Sequence, residues 1–299
     1  MTRLWGCAFD AHRSARRRVS ERLWRSDARM RLVDVRGHQL RVLDVGEAQG
    51  APPVLLAADA PVVLEHLIPL VEMLRPHRRV VALEMPGFGF SRCTKAYRFT
   101  MPEQVDVLEG LLDALDIDQA HLAFTCINAF VATALARRAP MRVARLTLGQ
   151  MPSLDEYRRW AARIDMKVAG VPLLATQGIG QAIMVAAPTY IARKWFHGVS
   201  GPNADAAGLT RVASQVYADG GTFCLAALNQ SMRSLTDADV GPVSVPTTFL
   251  WGTSDRSHRA TKRDSCRVLA PGAEVVELEG LGHCFDLEDP ARILPWLLR

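Results

Sequence analysis

The chain has 299 residues, 49% of them hydrophobic and 22% charged, enough apolar mass for a sizeable α/β core with room for an inserted subdomain. Its net charge of +5 comes almost entirely from arginines scattered along the sequence, apart from Arg13, Arg16, Arg17 and Arg18. The gathered basic face with stacking aromatics that nucleic acid requires is therefore missing. No run approaches the roughly 18 apolar residues of a transmembrane helix. Six widely spaced cysteines without a C-x-x-C pair argue against a disulfide framework and a zinc site, and predict reduced thiols in a cytoplasmic protein.

Residues 1–29 lack an apolar core of signal-peptide length and read as a basic amphipathic helix, with Leu4, Trp5, Val19, Leu23 and Trp24 on its apolar side. Arg31-Leu-Val-Asp-Val and Gln39-Leu-Arg-Val-Leu-Asp-Val alternate apolar and polar and are joined near Arg36-Gly37. They predict an antiparallel hairpin with one solvated face. After Gly50-Ala-Pro-Pro the character changes to short, almost wholly apolar runs. These are Val54-Leu-Leu-Ala, Arg79-Val-Val-Ala-Leu, His121-Leu-Ala-Phe, Ala144-Arg-Leu-Thr-Leu and Thr248-Phe-Leu-Trp. Such runs suit parallel strands buried on both faces.

Helical patterns over Leu64–Leu74, Pro102–Leu115 and Ile127–Arg138 separate the strands, and Thr100 with Glu103 forms a capping box ahead of the second. Alternating strand and helix predicts a doubly wound, mostly parallel sheet with ligands beyond the carboxyl ends of its strands. Between about Pro152 and Val240 the alternation gives way to helices at Tyr157-Arg-Arg-Trp, Ile179–Val185, Tyr190–Phe196 and Leu209–Tyr217. The expected organisation is a basic helical segment over 1–29, a core built from 30–151 and 241–299, and a helical lid inserted over 152–240.

One corner of the core carries the chemistry. The apolar run ending at Phe124-Thr125 turns at Cys126 into the helical pattern Ile127-Asn128-Ala-Phe-Val-Ala. That is the layout of a nucleophile elbow, in which a strand-to-helix turn presents a reactive side chain above the sheet. The usual Gly-x-Ser-x-Gly is replaced throughout: the serine is Cys126, and Phe124 and Asn128 stand where the glycines would. Their bulk predicts a reshaped turn or a displaced first helical turn, while the positive end of the helix predicts a lowered thiol pKa.

Three further stretches accompany the elbow in order. They are Glu84-Met-Pro-Gly87-Phe-Gly89-Phe-Ser91, then Pro246-Thr-Thr-Phe-Leu-Trp-Gly252-Thr-Ser-Asp255, then Leu278-Glu-Gly-Leu-Gly282-His283 followed by Leu287-Glu-Asp-Pro290. Together with the elbow, over roughly residues 30–299, they resemble the α/β-hydrolase superfamily. The resemblance implies a triad of Cys126 as nucleophile, His283 as base and Asp255 as its orienting acid. It also implies an oxyanion hole from the backbone N–H of Ile127 with that of Ala60 or Asp59.

The run Ala57-Ala58-Asp59-Ala60-Pro61 departs from the family, which often has His-Gly ahead of its oxyanion residue. A carboxylate there opposes a developing oxyanion by a few kcal/mol at ~4 Å. Asp59 therefore points away, is protonated, or serves a reaction without an oxyanion at that place. The first expectation is a thiol-dependent hydrolase or transferase acting on an apolar ester, thioester or lactone. A second is a lyase, isomerase or cyclase using Asp59 or His283 as acid or base. A third is a ligand-binding homologue that has lost the chemistry.

Cys284 is expected to be structural, and His12, His38, His66, His77, His121, His197 and His258 match no catalytic position. An aspartate nucleophile is absent from the elbow. No G-x-G-x-x-G opens a helix and no His/Asp/Glu cluster has ligand spacing, so neither a cofactor nor a metal is expected. The oligomeric state is left open.

Overall fold

The computed structural model describes residues 5–47 and 50–299. Eight strands form one sheet: β1 (Met30–Val35), β2 (His38–Val45), β3 (Val54–Ala58), β4 (Val80–Glu84), β5 (Ala120–Thr125), β6 (Val143–Gly149), β7 (Thr247–Gly252) and β8 (Glu274–Leu278). Their spatial order is β1-β2-β4-β3-β5-β6-β7-β8. The β1–β2 and β2–β4 pairs are antiparallel and all later pairs are parallel.

The hairpin turns through Arg36 and Gly37, both at positive φ (53° and 82°), the geometry that matches the twist of a two-residue β-turn. β3 and β4 are buried along their whole length, as expected of strands covered on both faces. β8 escapes the sequence reading, because only Leu278 of its five residues is buried and the edge position needs no apolar run.

Between strands run α2 (Leu64–Leu74), α3 (Met101–Ala114) and α4 (Cys126–Arg138), each within a residue of expectation and preceded in the chain by α1 (Trp5–Arg16). Glu103 closes the predicted box by accepting from the Thr100 N–H at 3.0 Å. The 154–232 stretch supplies α5 (Leu154–Ile164), α6 (Ile179–Ala186), α7 (Pro188–Val199), α8 (Ala206–Ala218) and α9 (Leu225–Met232). Two short pairings were not foreseen: Lys167–Val168 with Val171–Pro172, and Thr222–Phe223 with Phe88–Gly89. After His283 the chain makes only single helical turns, at Phe285–Glu288, Pro290–Ile293 and Leu294–Leu297.

The N-terminal segment is two pieces rather than one amphipathic helix: α1 and a turn at Glu21–Trp24. Leu4 lies outside the described residues. α1 buries Gly6, Cys7, Asp10, Ala11 and Ser14, while Trp5 and Phe9 stay about half exposed, so the buried face is the small and polar one. Asp10 is fully buried, with Arg13 at 3.7 Å and Gln181 donating at 3.4 Å. Burial pushes its carboxyl up to about 6 against the pull of Arg13 and Gln181.

The folded pKa therefore lies above the unfolded one. This group's contribution is fully present below the ordinary aspartate range and is lost as pH rises through about 6. Asp10→Asn is expected to raise stability at pH 7.5 by about 1–2 kcal/mol and to change little at pH 4. Thermal melts at the two pH values check this, and an equal loss at both would refute it.

The acidic turn after β4 is a structural latch. Glu84 is fully buried and accepts from the Leu64 N–H (3.0 Å), the Phe90 N–H (2.8 Å) and Arg41 (3.3 Å). Ser91 Oγ donates to the Glu84 carbonyl and accepts from the Arg41 N–H, both at 2.7 Å. Gly89 sits at φ 51°, and a Cβ there would run into the Glu84 carboxylate. Gly89→Ala is accordingly expected to cost about 3 kcal/mol or more, measurable by urea unfolding. β2 is also less solvated than its alternation suggests, because Arg41 points inward to this latch.

Candidate functional site

Four carboxyl ends of parallel strands converge on one place. Asp59 follows β3, Cys126 follows β5, Asp255 lies in the turn after β7, and His283 lies in the loop after β8. Cys126 is the first residue of α4 and has φ 49°, a left-handed conformation that costs a non-glycine residue about 1–2 kcal/mol.

The strained turn is thus present despite the two missing glycines, contrary to the expected reshaping. Phe124 is absorbed into the core, and Asn128 folds back so that Nδ2 donates to the Ala58 carbonyl at 3.2 Å. The close approach is taken up next door at Gly149, where a Cβ would stand 2.7 Å from Thr125 and 2.5 Å from Phe285.

His283 is 3% exposed, and its Nδ1 lies 2.6 Å from Asp255 Oδ2. An ionised carboxylate only accepts, so Nδ1 carries the proton and Nε2 has its lone pair free in the neutral ring. Nε2 has no hydrogen-bond partner among the described residues. The second oxygen of Asp255 takes the Ser257 N–H and Oγ–H, both at 2.8 Å, and Ser257 Oγ accepts from Trp160 Nε1 at 3.2 Å. The His283 loop is fastened from the other side: its N–H donates to the Val199 carbonyl at 3.0 Å. Glu288 accepts from Gly282 (2.8 Å) and Gly201 (3.1 Å).

Cys126 Sγ, an Asp59 carboxylate oxygen and a ring nitrogen of His283 lie within 4.8 Å of one another. Asp59 therefore does not point away. The thiol and the Asn128 N–H both face its carboxylate. Burial pushes the Asp59 carboxyl up to about 7, with His283 and the thiol pulling the other way. The thiol itself is raised well above its ordinary value, by burial first and by Asp59 second, and the Ile127 N–H only partly offsets them. The helix N-terminus is present, but the expected lowering is overridden. His283 goes up although burial opposes its charge, because Asp255, with Asp59 and Asp286 behind it, outweighs burial.

Sequence reasoning missed the aromatic wall. The rings of Trp160, His258 and His283 lie nearly parallel in one cluster (centroids 4.8 Å for Trp160–His258, 5.6 Å for His258–His283 and 6.3 Å for Trp160–His283), and Trp195 meets the imidazole edge-on at 5.0 Å. His258 is buried, bonded through Nδ1 to Thr261, and burial together with His283 holds its pKa down at about 3. The signal was its position three residues after Asp255 in the same turn. Above the thiol a cavity of about 350 Å³ runs between the core and the helical segment. Asp59, Ala60, Cys126 and Ile127 form its floor, while Trp160, Leu174, Ile191 and Trp195 are among the residues of its apolar walls.

Residues 63–296 match a family model described as the alpha/beta hydrolase family. A 120-residue stretch is 34% identical to 2-hydroxy-6-oxo-2,4-heptadienoate hydrolase of Pseudomonas putida, covering 40% of this chain and 43% of that protein. The chain thus spans less than half the length of that relative. Epoxide hydrolase A of Mycobacterium tuberculosis is 25% identical over 90% of this chain and 95% of its own. Among solved structures, epoxide hydrolase A from Mycobacterium thermoresistibile aligns with TM-score 0.73 at 20% identity, over 90% of this chain and 96% of that one. Among the described residues no helix is long and apolar enough to cross a membrane.

Proposed function

The chain belongs to the α/β-hydrolase family, and on that footing we propose that it hydrolyses or transfers the acyl group of an apolar ester, thioester or lactone through Cys126, His283 and Asp255. The observation that carries the reading is the imidazole, which has Asp255 on one nitrogen and no partner on the other, within 4.8 Å of the strained thiol. Nε2 takes the thiol proton as sulfur bonds to the acyl carbon, and Asp255 steadies the imidazolium. The oxygen that becomes anionic is held by the N–H groups of Ile127 and Ala60. Collapse returns the proton from Nε2 to the leaving oxygen or sulfur, and water or an acceptor alcohol then cleaves the thioester by the same steps in reverse. The helices over 152–240 act as the lid, and their apolar wall selects an apolar acyl chain.

Asp59 favours a second reading. Its carboxylate lies within 4.8 Å of both the thiol and a His283 nitrogen, so Asp59 and His283 together form an acid–base pair able to move a proton on a substrate without covalent attachment, as in a lyase or isomerase. The distinguishing experiment is mass spectrometry of protein mixed with short acyl thioesters, phenyl esters and lactones. Acyl adducts mapped to Cys126, blocked by prior iodoacetamide, are expected. Turnover without any adduct, unaffected by alkylation, would give the site to the second reading.

A further inference from the structure

The residues that converge on the thiol form a donor set which no spacing in the chain announces. Cys126 Sγ, an Asp59 oxygen and a His283 nitrogen come from three separate loops, yet lie within 4.8 Å of one another. A tetrahedral zinc ion with bonds of about 2.0–2.3 Å needs ligand atoms roughly 3.3–3.7 Å apart, so closure requires movements of ~1 Å at most. Thiolate, imidazole and carboxylate are all zinc ligands.

The supporting structure is of the right kind as well. His283 is 3% exposed, its Nε2 has no partner among the described residues, and its Nδ1 is held by Asp255 at 2.6 Å. A carboxylate behind the imidazole is what fixes the ring and its tautomer in histidine–zinc sites. Asp59 and Cys126 both face the cavity, which leaves a fourth position open on that side.

We propose that Asp59, Cys126 and His283 form a three-ligand site for a divalent zinc ion, whose occupancy switches the thiol chemistry off. Binding forms Zn–S, Zn–N and Zn–O bonds and releases the thiol proton to solvent, together with the Asp59 proton where it is present. The metal then occupies both the sulfur and the lone pair that acyl transfer needs. The inhibitory half rests on the proposed function, whereas the binding half stands without it.

Cobalt(II) added to chelator-treated protein is the test, because a cobalt–thiolate bond absorbs in the near ultraviolet. One equivalent is expected to produce the band, and zinc is expected to displace it. Cys126→Ser and His283→Ala should abolish it, while Asp59→Asn and Asp255→Asn should weaken binding about 10–100-fold. Cys284→Ser should leave it intact, and circular dichroism of each variant confirms folding. No band with the wild-type protein, or a band that survives in folded Cys126→Ser, overturns the site. A band in a protein without any thioester turnover leaves the site standing and removes the acyl-transfer reading, whereas thioester turnover that zinc does not inhibit overturns the switch.

Discussion

Cys126→Ala is expected to lower kcat for thioester hydrolysis by about 10⁴-fold or more, with His283→Ala costing a similar factor and the double variant little beyond either. Under the proposed acyl transfer, sulfur and imidazole act as one device. Once the base has no thiol to deprotonate, its remaining contribution has no target. Asp59→Asn separates the two readings of the site. It removes the carboxylate that raises the thiol and faces the oxyanion position, so under acyl transfer the rate stays within about tenfold of the wild type or rises. Under acid–base chemistry the same variant is inactive while Cys126→Ala still turns over. Steady-state kinetics on the three proteins, with melting curves to confirm folding, decides between them.

The second large effect concerns stability. Arg41 is fully buried, bonded to Glu65 at 2.5 Å and to Glu84 at 3.3 Å, with the Phe90 ring 4.9 Å from its guanidinium. Arg41→Met leaves Glu84 without its cation in a site closed to water, and is expected to cost about 3–5 kcal/mol. Adding Glu84→Gln should recover part of that loss. The neutral amide oxygen can still accept one of the two backbone N–H groups, and the fully buried charge is gone, leaving only the partly exposed Glu65 without its cation. Urea denaturation of the single and double variants measures the coupling. A loss below about 1 kcal/mol in Arg41→Met would mean that the pair is relaxed by water. Glu84 anchors the turn that pairs Phe88–Gly89 with Thr222–Phe223, so this variant should also loosen the helical segment.

How much the sequence revealed varied with the physics involved. Strands buried on both faces announce themselves as apolar runs, which is why β3 to β7 and the helices between them were legible. β8 was not, because an exposed edge strand needs no such run. Cys126 and Asp255 were legible because each follows a recognisable strand, whereas His283 follows β8 and was picked out only by the resemblance of its Gly282-His283 loop. The electrostatics were not, because they depend on which loops meet. The helix N-terminus behind Cys126 was predictable, but burial, reinforced by the aspartate facing the same sulfur from the end of β3, reversed the sign of the shift. Likewise Trp160 and Trp195 read as ordinary helix residues. Only the packing of the helical segment over β7 and β8 brings them against the imidazole.

The backbone bond from His283 to Val199 at the end of α7, and the shared hold of Glu288 on Gly201 and Gly282, have a mechanical consequence. The imidazole is stitched to the very element that roofs the cavity. If α7 swings outward to admit a molecule, it drags the base along and stretches the gap to sulfur. Under the proposed acyl transfer such opening disarms the thiol, and reclosure over a well-fitting guest rearms it.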